Sequence, residues 1–558
     1  MRLPRTLCVA LVLLGMIPGA FASAYNAHPK LVVVIVIDQF RGDYLERYRD
    51  QFSEGGFRVF LDRGAYFTDC NYDYANTRTA PGHATLFTGS YTSGHGIVAN
   101  EWWDPLKKKR VTSVEDDATK LVGVDVKPAQ AELGRGTPGA SPHNLLSDTL
   151  GDELKLATGG KARVFAVSLK DRAAVLPAGF SGDAAYWIDP KSGSWITSTY
   201  YRADLPEWVR NFNGSHRTEK FLNREWKDSD GNTLGSTAPR NGKDGAPAGF
   251  YEVVGSTPFA NEYQLEFAKE LVLYEKLGAG AATDLLVVSL SANDILGHQV
   301  GPDSPQMHSM ALELDRSLAE FFNFLGHQVG MANVWMALSA DHGVAPLPEF
   351  AKTLRLPAAN LDGKVLREQI NSLLSKKYAK KGDYLLDLDY PLAWLNEDAF
   401  SGHKESDAEA DAGEAMKQAG LAGYFTKAQL ARGETPATEV GRRYAHSYSP
   451  EGGWYVIGIP TPFQVGTAKG TDHASPFSYD THVPLAFYGL AFQPGIYRTH
   501  AEPVDLAVTL ASLLGINAPA QATGRVLTEA LQPPRRSATV PATPLSLAPA
   551  TPPAGGTQ

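Results

Sequence analysis

Three segments that carry carboxylates, two of them with an imidazole as well, stand directly behind apolar runs. Asp38 follows Leu31 to Ile37 in VIVIDQF, Asp294 and His298 follow the run ending at Leu290 in SLSANDILGHQ, and Asp341 and His342 follow the run ending at Leu338 in ALSADHG. Asp and His together form a donor set that suits zinc, and a catalytic zinc keeps one position open for water or substrate. A single Asp behind a strand is more often a helix cap. Capping does not account for Asp38, Asp-x-x-x-His and Asp-His-Gly recurring at three run ends. One further histidine completes the count, and GTDHASPFSYDTHVPLAFYG offers two. His473 lies in a small-residue loop that can reach over a sheet edge, so it is the preferred ligand. His482 directly precedes the apolar run at Val483 and reads as a buried histidine donating one hydrogen bond.

The stretch from Asn76 to Gly89, NTRTAPGHATLFTG, has the setting of a nucleophile. Pro81 marks a first helical position, which places Thr79 at or just before a helix N-terminus. Free backbone N–H groups and the positive dipole end there favour an alkoxide and a bound phosphate. The bland alternative is that Thr79 only caps the helix. Metals nearby alter that balance, because a metal-bound hydroxyl is an activated nucleophile.

These residues need a scaffold that brings distant segments to one edge. Leu31–Ile37, Leu285–Leu290, Val334–Leu338 and Leu485–Tyr488 read as short buried parallel strands, and helical patterns such as 261–277 and 307–325 lie between them. Alternation of this kind predicts an α/β fold with a mostly parallel central sheet flanked by helices. Ligands of such sheets bind outside the carboxyl ends of the strands, where all the acids above lie. The run 504–514 reads as a closing helix ended by Gly515. Residues 30–530 are expected to form one catalytic domain, with surface insertions over 185–255 and 345–470. The acidic run 405–414 within the second insertion reads as a solvated face. Residues 533–558 are rich in Pro, Ala and Thr and read as a disordered tail.

The start of the chain has Arg2 and Arg5 before the apolar run Leu7–Ile17, with Ala20-Phe21-Ala22 behind it. That is the three-part pattern of a signal peptide over 1–22, which predicts a periplasmic or secreted protein with no membrane span once it is removed. Cys8 leaves with it, so Cys70 stands alone and an internal disulfide is excluded. Net charge is -9, giving no basic footprint for nucleic acid.

The motifs TRTAPGHATLFTGS, GIVAN, SLKDR, NDILGH, ADHG, DHAS and the closing VDLAVTLASLLGI resemble the alkaline phosphatase superfamily of the threonine-nucleophile type, and more narrowly the PafA-like bacterial periplasmic phosphatases. The resemblance runs from about Leu31 to Leu527. It implies an alkaline phosphatase-like fold and two zinc ions, one held by Asp294, His298 and His473, the other by Asp38, Asp341 and His342. It implies Thr79 as nucleophile, with Asn100, Lys170 and Arg172 holding phosphoryl oxygens, and Lys170 standing where other alkaline phosphatases place a third, magnesium, site. The implied activity is hydrolysis of small phosphate monoesters through a phosphothreonine, by a protein expected to be a monomer. Cations at 170 and 172 suit the extra charge and free oxygen of a monoester. A phosphodiesterase or nucleotide pyrophosphatase on the same scaffold is the nearest alternative, and a catalytically silent zinc-binding protein a further one. Cys70-Asn-Tyr-Asp-Tyr does not fit the sulfatase pattern C/S-x-P-x-R.

Overall fold

Seven consecutive apolar residues, Leu31–Ile37 (β1), form a fully buried strand at the centre of an eleven-stranded sheet. A run with no polar alternation is what a strand needs when it is covered on both faces. The computed structural model describes residues 28–532 apart from 125–137, 243, 244, 246 and 452. The expected signal peptide and the Pro-rich tail lie outside the described residues.

Six further strands position the site: Ala65–Phe67 (β2), Val164–Ser168 (β3), Ala184–Ile188 (β4), Asp284–Leu290 (β5), Val334–Ser339 (β6) and Leu485–Tyr488 (β7). Their order across the sheet is β2-β7-β6-β1-β5-β3-β4. Strands β6, β1, β5, β3 and β4 are all parallel. Their register sets the site, because Val36 of β1 lies level with Ser289 and with Ser339, and Ser289 lies level with Ser168. Asp38, Asp341 and Lys170 are each two residues beyond that level, so they leave the sheet together. Helices Thr79–Thr88 (α1), Asp171–Ala178 (α2) and Ala292–Val300 (α3) start at the same edge.

Strand β7 departs from the parallel reading, since it runs antiparallel to both β6 and β2. The loop carrying His473 lies over the carboxyl edge, and a strand leaving that loop must run away from it. An apolar run by itself carries no direction. The segment read as a surface insertion over 185–255 also begins inside the sheet. Ala184–Ile188 and Trp195–Ser198 are buried strands, and Trp195 stacks on Phe267 with ring centroids 4.0 Å apart. Its aromatic residues pack against the helix Pro258–Tyr274, which the Gly- and Asn-rich composition concealed.

Residues 345–470 build a four-stranded sheet with Leu385–Asp389, Leu392–Leu395, Gly423–Thr426 and Tyr455–Ile459, covered by Gly363–Lys377 and Glu405–Gln418 (α4). This second lobe has its own apolar cluster, which includes Ile370, Leu385 and Met416. The acidic run is the outer part of α4, except that Glu409 is fully buried. Glu409 Oε2 accepts the Ala428 N–H at 3.1 Å, and Oε1 has no partner. Burial, reinforced by Glu405, pushes its carboxyl up to about 7.

A raised acid binds its proton more tightly in the folded state, so its stabilising effect is complete below pH 4.5 and is lost as pH rises through about 7. Two to three pH units of displacement correspond to about 3 kcal/mol. Glu409→Gln is therefore expected to raise unfolding free energy at pH 8 by up to that amount and to flatten its slope between pH 4.5 and 7, as read from urea titrations. A slope identical to that of the parent protein would place the cause elsewhere.

Candidate active site and metal centre

Each ligand expected from the sequence comes to one edge, in two contiguous groups. Asp294, His298 and His473 offer donor atoms that all lie within 4.8 Å of one another, and so do Asp38, Asp341 and His342. The groups touch, because the His342 and His473 rings stack with centroids 3.7 Å apart. His482 is not among them. Its Nε2 donates to Thr68 O at 3.0 Å and its ring lies against Gly42, but the residue is half-buried rather than buried as the sequence suggested.

The histidines are oriented in one way. Nδ1 of His298 donates to Thr471 O at 2.9 Å, Nδ1 of His342 to Gly343 O at 2.9 Å and Nδ1 of His473 to Thr77 O at 2.6 Å. Each ring thereby carries a proton outward on Nδ1 and turns its Nε2 inward, the arrangement that metal-ligating imidazoles adopt. The carboxylates behave likewise. Lys170 Nζ donates to Asp38 Oδ2 at 2.7 Å, and the Gln39 backbone N–H donates to Asp341 Oδ1 at 3.0 Å. That leaves Asp38 Oδ1, Asp341 Oδ2 and His342 Nε2 buried with no hydrogen-bond partner. Three orphaned donor atoms in one group are costly unless a cation binds them, so the residues fit a metal.

Charge tells the same story. Burial, with Asp294 and Asp341 close by, pushes the Asp38 carboxyl well above its usual range. Burial acts upward on Asp294 too, but Lys170 and His298 outweigh it and hold it low. His298, despite burial, is pushed up to about 10 by Asp294, whose Oδ1 is 3.1 Å from its Nε2. Burial and its stacked neighbour His342 drive His473 well below its usual value. Buried carboxylates that face one another and cannot all ionise are the arrangement a divalent cation relieves.

Thr79 is the first residue of α1 and is buried. The residue preceding the helix is Arg78, in extended conformation, and no side chain caps the end, so Thr79 is not the cap. The expectation of several free backbone donors needs correction. The Ala80 N–H is taken by Asn100 Oδ1 at 2.8 Å, Pro81 has none, and the Gly82 N–H bonds Arg78 O at 2.8 Å. Asn100 turns this to use, because accepting through Oδ1 leaves its NH2 as the end that donates. Gly82 has to be glycine: a Cβ there would meet Asp341 O at 2.2 Å, so α1 packs directly on the second group.

The structure draws Lys170 into the centre. Its ammonium also donates to Asp294 Oδ2 at 2.6 Å and so links the two groups, with one of three protons left over. Neighbouring Arg172 is partly exposed and lies 3.8 Å from Asp171. Its Nε has no partner. Neither cation is an exposed turn residue paired with solvent alone.

Two residues escaped the sequence reading. Gln39 follows Asp38 with φ 63 and donates through its side chain to Asp294 Oδ1 at 2.8 Å. It grips one acid of each group. His83, one turn after Thr79, contacts Thr79 O at 2.8 Å and Asp341 Oδ2 at 3.3 Å through Nδ1 and Ser289 Oγ at 2.7 Å through Nε2. Its i, i+4 spacing from Thr79 was the available signal. Gln39 had none, since left-handed backbone at a glutamine is read only from coordinates. Gln39→Ala is expected to keep the fold and to weaken metal retention about 10- to 100-fold, measured as metal content after dialysis against graded chelator. Retention equal to the parent protein would reduce Gln39 to a packing role.

The profile of the family described as "Type I phosphodiesterase / nucleotide pyrophosphatase" matches residues 32–421. The chain belongs to this family. A Myroides odoratus relative named calcium-transporting ATPase is 34% identical over 544 residues, covering 92% of this chain and 97% of the relative. Alkaline phosphatase PhoV of Synechococcus elongatus is 33% identical over 539 residues, covering 91% and 94%. The crystal structure of wild-type alkaline phosphatase PafA matches with TM-score 0.81 and 30% identity, covering 90% of this chain and 99% of that one. The alkaline phosphatase-like fold expected from the motifs is therefore the fold observed.

Proposed function

We propose that the protein is an exported zinc-dependent phosphatase that hydrolyses small phosphate monoesters through a phosphothreonine on Thr79. The observation that carries the reading is the convergence of two three-residue Asp/His groups at the edge where α1 begins with the buried Thr79. The likeness to PhoV and PafA, both named alkaline phosphatases, supports the monoester class. The charged and apolar start of the sequence supports export. The described residues contain no helix long and apolar enough to cross a membrane, which gives the transport name of the Myroides relative no support.

Asp294, His298 and His473 would hold one zinc and Asp38, Asp341 and His342 the other. When bound, such ions act as Lewis acids on the attacking and leaving oxygens. The chain supplies the rest. Thr79 Oγ, having given up its proton, forms the bond to phosphorus as the bond to the leaving oxygen breaks and that oxygen takes up a proton, and the Thr79–O–P bond breaks when water attacks phosphorus and returns a proton to Oγ. The Asn100 NH2, the third Lys170 proton and the Arg172 guanidinium are directed to the nonbridging phosphoryl oxygens, where they stabilise charge that shifts in the transition state. Rigid placement at the sheet edge means that little has to reorganise during the reaction.

Lys170 and Arg172 separate this reading from a phosphodiesterase. Each charge-assisted bond to a phosphoryl oxygen contributes about 1.5 to 3 kcal/mol, or roughly ten- to a hundredfold in rate. A diester replaces one charged oxygen with an alkylated one and draws less from them. Arg172→Ala is expected to lower kcat/KM for a phenyl phosphate far more than for its matched methyl diester. Lys170→Ala should show the same bias together with reduced metal content. Equal losses on both substrates with metal unchanged would remove the monoester assignment.

A further inference from the structure

Asn100 opens a hairpin, Glu101–Asp104 paired with Lys109–Thr112, whose far end reaches the second lobe. Arg110 Nε donates to Asp387 Oδ2 at 2.6 Å. At the near end Arg78 donates to the carbonyls of Asp389 and Tyr390 and lies 3.1 Å from the Asp389 carboxylate. The two hairpins thus run side by side away from the start of α1. Where they end, they line an open cavity of about 230 Å³ walled by Trp103 and Trp454, with Trp394 behind them and Lys108, Glu397 and Asp398 at its rim.

The wall is fixed. Trp103 is paired with Arg110, Trp394 with Asp387 on one side and Tyr455 on the other, and the Trp454 carbonyl accepts the Leu395 N–H at 2.9 Å. Trp103 and Trp394 pack with the main core and Trp454 with the second apolar cluster, so the cavity lies on the seam between the lobes. Trp394 is 1% exposed, and its indole N–H has no partner. Trp103 and Trp454 are half-buried and offer indole faces to this open space, whereas Trp394 is buried behind them.

The chemistry of the rim narrows the occupant. Two carboxylates repel a second phosphate, and Lys108 opposes an ammonium ion that the indole faces would otherwise attract. A neutral ligand remains. The cavity is smaller than the ~300 to 1,000 Å³ of drug-sized sites, which leaves room for about one ring. Its occupant must offer an apolar face to the Trp103 and Trp454 indoles and hydroxyls to carboxylate and ammonium. A pyranose ring does both. Trp103 is three residues beyond Asn100 along an extended strand, about 10 Å, which is two sugar rings from a phosphoryl group held at Asn100.

We propose that this cavity is a saccharide subsite that holds the distal sugar of a phosphorylated glycoside while its phosphate occupies the catalytic edge. The catalytic part rests on the monoesterase reading, whereas binding at the cavity does not.

Binding is tested first on the metal-loaded protein by tryptophan fluorescence with methyl β-D-glucopyranoside, which carries no phosphate to be hydrolysed. A saturable change is expected, weakened at least tenfold in Trp454→Ala and in the exposed variant Asp398→Ala. No saturable change, an unaltered response in both variants, or saturation by adenosine but not by the sugar would overturn the subsite. Steady-state kinetics on the metal-loaded enzyme then compare maltose 1-phosphate with glucose 1-phosphate. KM is expected about tenfold lower for the disaccharide ester, with the advantage lost in Trp454→Ala and kcat unchanged. Equal KM values with sugar binding intact would assign the cavity to free saccharide and overturn its link to the ester. Loss of turnover on every monoester would sink the monoesterase reading and leave the fluorescence result standing.

Discussion

Thr79→Ala is expected to fold, to keep its full metal content and to lose turnover by about 10⁴-fold or more. The expectation is sharp because the substitution removes little else. Thr79 does not cap α1, so no cap energy is lost, and alanine is the better helix former at that position. Its backbone carbonyl, which holds His83 at 2.8 Å, is retained. Ala80, Asn100 and Gly82 keep their contacts, so phosphate binding should survive while covalent capture does not. The measurement is burst kinetics with a chromogenic monoester, alongside acid-quench trapping of labelled phosphate on the protein. Trapping in the parent and none in the variant is the anticipated pair. A variant that turns over within tenfold of the parent would mean that water attacks phosphorus directly.

Removal of metal is the second large effect. Asp38, Asp294 and Asp341 are all buried, and Lys170 is the ammonium that pairs with two of them. Without divalent cations the acids repel one another, and burial together with that repulsion raises the Asp38 carboxyl. Exhaustive chelation should abolish monoester hydrolysis and lower Tm, because a ligand bound at a thousand times its Kd contributes about 4 kcal/mol to the folded state. Zinc added back should restore both. His342→Ala should show the same loss without chelator, since its Nε2 is one of the three orphaned donors of its group. Full activity in protein proven metal-free by elemental analysis would remove the metal from the reaction.

The site was legible from sequence where chemistry and strand ends coincide. Asp38, Asp341 and Lys170 follow apolar runs at a fixed offset, and a parallel sheet in register turns equal offsets into neighbours. His473 was preferred to His482 by loop composition, and His473 is the one that stands beside Asp294 and His298. What remained hidden depends on direction or on backbone conformation. The reversal of β7 follows from the place where its loop lies rather than from the residues Leu485–Tyr488. The grip of Gln39 on both groups follows from a positive φ that glutamine rarely adopts. The burial of Glu409 in an acidic run is set by the partner helix and sheet that α4 meets, because a charge block read alone is solvated.

One property of the site concerns time. Asp38 and His473 belong to one centre yet stand at opposite ends of the described chain, with Asp294, His298, Asp341 and His342 between them. A chain emerging from the ribosome or a translocation channel presents its first acid long before its last imidazole. Strands β1, β5 and β6 can pair while residues beyond 345 are still arriving, and the Asp38, Asp341 and His342 group can then assemble. The Asp294, His298 and His473 group must wait for the second lobe to be threaded through. The two candidate ligand groups should therefore be completed in sequence during biogenesis, and a chain stalled before residue 473 would lack the last member of the second.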